Sequence, residues 1–363
     1  MKVASLQTFV VEIPFHDGGP AKVITPLTWH TLENVLVRVE DEQGNVGWGE
    51  AFGYFVADSV RAMIDRLIAP LVVGQTIHDI PAWNLDAQLR LHIFGRYGVT
   101  MFGLSGVDMA LWDLQARREG LPLHRLLGNA SRAAIPAYAS LVRYGTDGLA
   151  PAVCERALRE GFRHIKLHEN TVSEVAACRR AIGRDIPLAT DVNCSWSLDD
   201  TREWLPALAE LELAWLEEPI FPPEDFPALA SLRGHGVPIS AGENWCTAVQ
   251  FESAIRQGAV DSIQPSVTKV GGISECLRVA ELASRHGTLV LPHSPYFGPG
   301  LLATLHLAAV QPDVPLVEFH YVETDGWLHD IKGLLQDGLM QVPAGTGLGL
   351  ELDMAVFERF RRS

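Results

Sequence analysis

The sequence predicts an α/β protein in which a TIM-type (β/α) barrel follows an α+β unit, and three observations carry that prediction. The first is a short apolar run ending in a carboxylate, Leu188-Ala-Thr-Asp191. The same figure returns in Trp215-Leu-Glu217 and Ile239-Ser-Ala-Gly-Glu243, at equal intervals (217 − 191 = 26, 243 − 217 = 26). One strand, one helix and two short loops need a segment of about that length. The second is a set of eight strand-like runs, at 135–140, 164–168, 187–191, 214–217, 238–242, 261–265, 288–292 and 315–318, with amphipathic stretches such as 199–213 and 273–285 between them. That alternation is the pattern of a compact barrel. The third is a change of rhythm near residue 125, before which strands come first and helices after.

Taken in order, residues 1–50 read as strands. Val35-Leu-Val-Arg-Val39 is rich in β formers, Asp41-Glu-Gln-Gly-Asn45 is a turn cluster, and Val46-Gly-Trp-Gly-Glu50 returns. The glycine-rich stretch His16-Asp-Gly-Gly-Pro20 lies between them as a loop. From Val60 the period is helical, with Val60, Met63, Ile64, Leu67 and Ile68 on one face. A second helix covers 103–116, closed by Gly120 and Pro122. The tail, 326–363, is rich in glycine and breaks the βα rhythm. The expected division is an α+β domain at 1–125, a barrel at 126–325 and a C-terminal segment, 326–363, that returns to the first domain.

Composition narrows the function. The net charge of −15 argues against nucleic acid and against an anionic membrane surface. No apolar run approaches the ~20 residues of a membrane span, and the start of the chain alternates like a strand rather than a signal peptide. Five scattered cysteines without a CxxC pair fit a reducing compartment. A cytoplasmic protein is expected.

Three barrel units in phase would bring Asp191, Glu217 and Glu243 to the C-terminal rim, where barrel active sites are built. One such acid could be a solvated strand end; three converging oxygens suit a hard divalent cation such as Mg²⁺. In His164-Ile-Lys166-Leu-His168 the lysine and the second histidine share a strand face. His293 ends the seventh strand across the barrel, and Glu318 ends the eighth. This set suits removal of the weakly acidic α-proton of a carboxylate. A divalent cation would offset the charge of the developing dianion. A histidine, with an unperturbed pKa of roughly 6.5, is a suitable base. Lys166 beside it would lower that pKa and bind the carboxylate, and a group on the opposite face would deliver a proton.

The motifs Met109-Ala-Leu-Trp-Asp113, Leu126-Leu-Gly128, Asp191-Val-Asn193, Glu217-Glu-Pro219, Gly242-Glu-Asn-Trp245 and Lys269-Val-Gly-Gly272 resemble those of the enolase superfamily, in its mandelate racemase/muconate lactonizing enzyme group, over essentially the whole chain. The resemblance implies a capping α+β domain over a modified (β/α)₇β barrel. It implies one Mg²⁺ per site, with Mn²⁺ as a substitute, on Asp191, Glu217 and Glu243. Lys166 and His168 stand where the family has the two lysines of Lys-x-Lys. His293 matches the base or acid on the opposite face. Glu318 matches the acid that, in racemases, hydrogen-bonds a substrate carboxylate oxygen, and Asn193 matches a polar residue near the substrate. Specificity in the family comes from capping loops, matched by 14–30 and 51–57 with His16, Asp17, Trp29, His30, Phe52, Tyr54 and Phe55. A small-molecule carboxylate substrate and a homo-oligomer are implied as well.

Two residues depart from the pattern. His168 replaces the usual lysine base, and Ser266 stands where racemases and dehydratases have an aspartate that charges the histidine and cycloisomerases have a lysine. Without that aspartate His293 is expected to be less basic and better as a donor or leaving-group acid, which makes His168 the candidate base. The expected reaction is dehydration of a sugar acid. The alternatives within the superfamily are a racemase or epimerase of a 2-hydroxy or amino acid derivative and a lactone cycloisomerase. Outside it they are a Schiff-base aldolase acting through Lys166 and a barrel that binds a ligand without turnover.

Overall fold

Strand β1 (Val3–His16) is the spine of the N-terminal sheet in the computed structural model, which describes residues 1–19, 22–24, 27–128, 132–145 and 148–362. Of the expected specificity loop at 14–30, positions 20, 21, 25 and 26 lie outside the described residues. The described part carries a short hairpin of β2 (Lys22–Ile24) and β3 (Leu27–Trp29). Strands β4 (Thr31–Asp41) and β5 (Val46–Phe52) complete the antiparallel meander with β1. Helix α1 (Ala57–Met63) runs on into a π-helical turn, Ile64–Ile68, and Val60, Ile64 and Ile68 are fully buried, as their helical spacing predicts. Helix α2 (Ile80–Leu91) has weak periodicity and escapes the sequence reading; Asp79 caps it.

Helix α3 (Val99–Glu119) is longer than its motif and ends at Gly120, whose φ of +68° is the left-handed closure expected of a glycine. It is buried on nearly every side because it lies between the sheet and the barrel. Contact with the sheet is backbone to backbone. A Cβ on Gly49 would lie 2.1 Å from the Gly106 carbonyl oxygen and 2.7 Å from Ala110 N. Gly49→Ala is therefore expected to push α3 off the sheet at a cost of about 1–3 kcal/mol, the usual penalty of overpacking. A thermal melt that does not move would show that the gap can widen freely. Asp113 ties three segments together, accepting from Trp48 N at 2.8 Å, Leu348 N at 2.7 Å and Arg117 Nε at 3.0 Å.

After the short α4 (Leu123–Leu127) the chain enters the barrel. It runs β6 (Ala134–Ser140), α5 (Leu149–Arg159), β7 (Ile165–Leu167), α6 (Val172–Ile182), β8 (Leu188–Asp191), α7 (Leu198–Glu210), β9 (Leu216–Glu217), α8 (Phe226–Leu232) and β10 (Ile239–Ala241). It continues through α9 (Thr247–Arg256), β11 (Ser262–Ile263), α10 (Ile273–His286), β12 (Leu289–Val290), α11 (Pro299–Val310) and β13 (Val317–His320). Strands β6 to β12 pair in parallel with their chain neighbours, and β13 pairs with β6. The fold is thus the expected modified (β/α)₇β barrel with an N-terminal α+β domain. Local signals start the helices cleanly: Thr171 with Glu174 and Ser197 with Asp200 form capping boxes on α6 and α7. Helix α10 buries Ile273, Cys276, Val279 and Ala283 along one stripe against the barrel.

The tail divides its attachments. Strand β14 (Glu323–Thr324) extends the N-terminal sheet beside β1. The hairpin of β15 (Leu335–Gln336) and β16 (Leu339–Gln341) instead adds to the barrel strand β6, antiparallel to it. Helix α12 (Met354–Phe360) then returns to the first sheet, where Phe357 packs with Val11, Ile13 and Leu36. β7 and β13 pair with the C-terminal part of β6, and the hairpin takes the backbone groups left at Ala134–Pro136, so part of 326–363 packs on the barrel. Among the described residues no helix is long and apolar enough to cross a membrane.

Candidate active site

The three acids meet as their phase predicts. Asp191 and Glu217 are the last residues of β8 and β9 and lie opposite each other in the parallel register. Glu243 follows β10 by two residues, after Gly242 at φ +138°, where a Cβ would lie 2.9 Å from Gln264 N. Only glycine adopts that conformation readily, and it turns the Glu243 carboxylate inward. One oxygen from each acid lies within 4.8 Å of the others. Asp191 Oδ2 is buried and accepts no hydrogen bond of good geometry. Its neighbours are the Lys166 ammonium at 3.2 Å and His168 Nε2 at 3.4 Å, and three converging carboxylates with lone pairs to spare are an all-oxygen donor set that fits a hard cation such as Mg²⁺.

Lys166 enters the acids from β7, almost wholly buried. Its Nζ lies 2.6 Å from Glu217 Oε1 and 3.2 Å from both Asp191 Oδ2 and Glu318 Oε1. Burial alone would lower the pKa of this ammonium, but the charges of Glu217, Glu318 and Asp191 outweigh it and raise it well above the usual lysine value. Burial would likewise raise Asp191; Lys166 and His168 hold it far below the carboxylate range. Glu217 moves the other way, pushed up by burial and by the neighbouring Asp191 charge.

His168 shares the inward face of this strand, as predicted. Its Nδ1 sits against the Leu141 carbonyl oxygen, which can only accept, so Nδ1 carries a proton. Nε2 is left facing the cavity, 3.4 Å from Asp191 Oδ2.

His293 flanks the acids from the other side, its Nε2 2.8 Å from Glu243 Oε2. The structure supplies it with a partner that sequence reasoning missed. Tyr296, three residues on, places its hydroxyl 3.3 Å from His293 Nδ1 and bonds the same hydroxyl to Ser266 Oγ. A neutral tyrosine thus occupies the space beside the histidine, and Ser266 is small enough to leave room for it. Nε2 faces the Glu243 carboxylate, which can only accept, so Nε2 is the donor nitrogen of the ring and Nδ1 is left to pair with the Tyr296 hydroxyl. Tyr296→Phe is expected to lower kcat about 10–100-fold by freeing the ring, the range for groups that orient a catalytic side chain. An unchanged kcat would show that Glu243 alone orients it.

Glu318 lies on β13 facing the cavity but is already engaged. It accepts from Ser140 Oγ at 2.7 Å and from Ser294 N at 2.8 Å, beside Lys166. Burial would raise its pKa; Lys166, with help from His293, Ser140 and Ser294, brings it down to about 2. Ionised, it accepts and does not donate.

A cavity of about 540 Å³ opens over these groups, with Asn193, His168, Glu243 and His293 in its floor and Trp29, Phe52, Tyr54 and Phe55 from the cap. Tyr54 uses its hydroxyl to hold Pro295 O at 2.7 Å, so its ring, not its oxygen, faces the cavity. His16 is not brought to the site. It is exposed at the end of β1, where β14 pairs with that strand, and its Nε2 lies 3.3 Å from Asp325 Oδ1. His30 is exposed, and Asp17 is buried with its carboxylate on Gly19 N. Lys269, quoted only within a motif, also lines the cavity, 5.1 Å over the Phe52 ring and bonded to Asn244 Oδ1 at 3.1 Å. His320, two residues beyond Glu318, lines it too. The period-2 alternation of a strand was the available signal for it.

Family models match both parts of the chain: mandelate racemase / muconate lactonizing enzyme, N-terminal domain, over residues 6–128, and enolase C-terminal domain-like over residues 150–356. The chain belongs to the enolase superfamily. Within the mandelate racemase/muconate lactonizing enzyme group, it is 29% identical to a D-galactarolactone cycloisomerase of Agrobacterium fabrum, with 99% of each chain covered. It is 30% identical to an arabinonate dehydratase of Saccharolobus solfataricus, with 95% of each covered. The solved structure of a racemase from Streptomyces coelicolor with bound magnesium aligns at a TM-score of 0.85 and 28% identity, covering 99% of this chain and 100% of that one. Enolase-superfamily relatives of this chain are thus named as lyases and isomerases of small acids and lactones.

Proposed function

We propose that this enolase-superfamily chain is a Mg²⁺-dependent hydro-lyase that dehydrates a sugar acid to a 2-keto acid. The observation that carries this reading is the asymmetry of the two histidines flanking the acid triad. In a neutral His168 ring the Leu141 carbonyl holds the proton on Nδ1 and leaves Nε2 as the lone-pair nitrogen toward the cavity, whereas His293 turns its Nε2 to the Glu243 carboxylate, which can only accept. A base and an acid on opposite flanks suit elimination; a racemase needs each flank to take and return a proton.

A divalent cation on Asp191, Glu217 and Glu243 would act as a Lewis acid for the negative charge that builds on the substrate carboxylate. Lys166, held by three carboxylates, keeps its positive charge beside that group. His168 Nε2 takes the α-proton, the Cβ–O bond breaks, and His293 Nε2 protonates the departing hydroxyl, which leaves as water. The resulting enol tautomerises to the 2-keto acid. Asn193 and the rings of Tyr54 and Phe52 face the rest of the substrate. Residues 1–125 serve as the cap, 126–325 as the barrel and 326–363 as a tail whose hairpin packs on the barrel before its last helix returns to the cap. All five cysteines are free, which supports a reducing, cytoplasmic setting, and a homo-oligomer goes with the family resemblance.

The same base and acid would open a lactone by expelling the ring oxygen, and the likeness to a cycloisomerase favours this as the second reading. The Schiff-base alternative fares worse, since its nucleophile must be a neutral amine and Lys166 is paired with three carboxylates. Proton NMR in D₂O with Mg²⁺, over sugar acids, their lactones and simple 2-hydroxy acids, tests the reading. Loss of an α-proton signal with formation of a 2-keto acid, abolished by EDTA, is the expected result. An isomerised lactone would select the cycloisomerase, and an epimer would overturn elimination. A tight-binding ligand that never exchanges its α-proton would leave a barrel that only binds.

A further inference from the structure

The wall of the cavity holds three buried polar atoms that have no hydrogen-bond partner among the described residues: Trp29 Nε1 and both ring nitrogens of His320. Burial without a partner is uncommon for such groups and calls for an explanation. His320 is 5% exposed and ends β13, two residues beyond Glu318 on the same strand face. Trp29 ends β3 and reaches down from the cap. The two rings stack at 5.7 Å with 30° between their planes, so neither can hydrogen-bond the other. Their remaining ring neighbours do not fill the role. Phe297 stands edge-on to His320 at 5.7 Å, and Phe15 and Tyr54 pack on Trp29 at 4.8 and 5.5 Å. The Tyr54 hydroxyl is spent on Pro295.

We propose that Trp29 and His320 form a subsite for one distal hydroxyl of the substrate, a hydroxyl on a carbon beyond the two that react. This deepens the sugar-acid reading and rests on it. The chemistry of the three atoms selects the group. An indole N–H only donates, and a neutral imidazole donates at one nitrogen and accepts at the other. A hydroxyl accepts from the first and donates its one proton to the acceptor nitrogen of the second, whereas a methyl group does neither. A carboxylate would leave the imidazole acceptor unmatched and would face the ionised Glu318 on the same strand. Burial favours the neutral ring that this pairing needs. Position selects the carbon: Lys166, His168 and Glu318 mark the reacting end, and His320 lies one alternate position further along β13, where the cap meets the barrel.

The test is calorimetric binding to the Mg²⁺-loaded protein. Six-carbon aldonic acids are screened first, then the 4-, 5- and 6-deoxy analogues of the tightest binder. One deoxy analogue is expected to bind the wild type at least about 10-fold more weakly than its parent, since a site built for a hydroxyl is left with unpaired groups. In His320→Phe and in Trp29→Phe the parent should fall toward the analogue while the analogue hardly changes, bringing the ratio near one. The double variant should lose little more than either single one, because both act on the same oxygen. His320→Asn, which keeps a donor and an acceptor, should retain part of the preference. A purely structural role would weaken parent and analogue equally. A ratio that survives in both Phe variants, or a wild type that binds all three deoxy acids as tightly as the parent, overturns the subsite alone. Failure of the wild type to bind any aldonic acid overturns the sugar-acid reading with it.

Discussion

Glu243→Gln is expected to lower kcat/KM by about 10³-fold or more, the scale of losing several kcal/mol of charge stabilisation. The substitution is chosen because it changes charge and little else. A glutamine carbonyl oxygen can still accept from His293 Nε2, now 2.8 Å from Glu243 Oε2, so the histidine keeps its place. Gly242 keeps its φ and still aims the side chain inward. What is lost is one of three negative charges whose oxygens lie within 4.8 Å of each other. Equilibrium dialysis with Mn²⁺ should show weakened metal binding in parallel with the lost turnover. Full metal content together with full turnover would remove Glu243 from the ligand set.

His168→Ala should slow α-proton exchange by about 10²–10⁴-fold, the contribution of a positioned general base. The Leu141 carbonyl fixes which ring nitrogen carries the proton, and Lys166 lies on the same strand face beside it. Removing the ring leaves Lys166, Asp191 and Glu217 in contact with one another, so metal affinity should change little. This separates loss of a base from loss of the cation site. Exchange at the wild-type rate would move the base to Lys166 or His293, and the elimination scheme would have to be redrawn around that group.

Local repetition made much of the protein legible in its sequence. The equal spacing of Asp191, Glu217 and Glu243 announces βα units in phase, and a barrel turns equal phase into a common rim. Lys166 and His168 follow from strand alternation, and the end of α3 follows from Gly120. Each of these signals lies within a few residues of the structure it specifies, or repeats with the fold. What the tertiary structure decided concerns groups far apart in the chain. Tyr296 bridging Ser266 to His293, the engagement of Glu318 by Ser140, Ser294 and Lys166, the stacking of Trp29 on His320 and the pairing of His16 with Asp325 all depend on how the cap, the tail and the strand ends meet. Side-chain pairing across such junctions has no period to read. It is settled by which buried donors and acceptors find one another when the two domains close over the cavity.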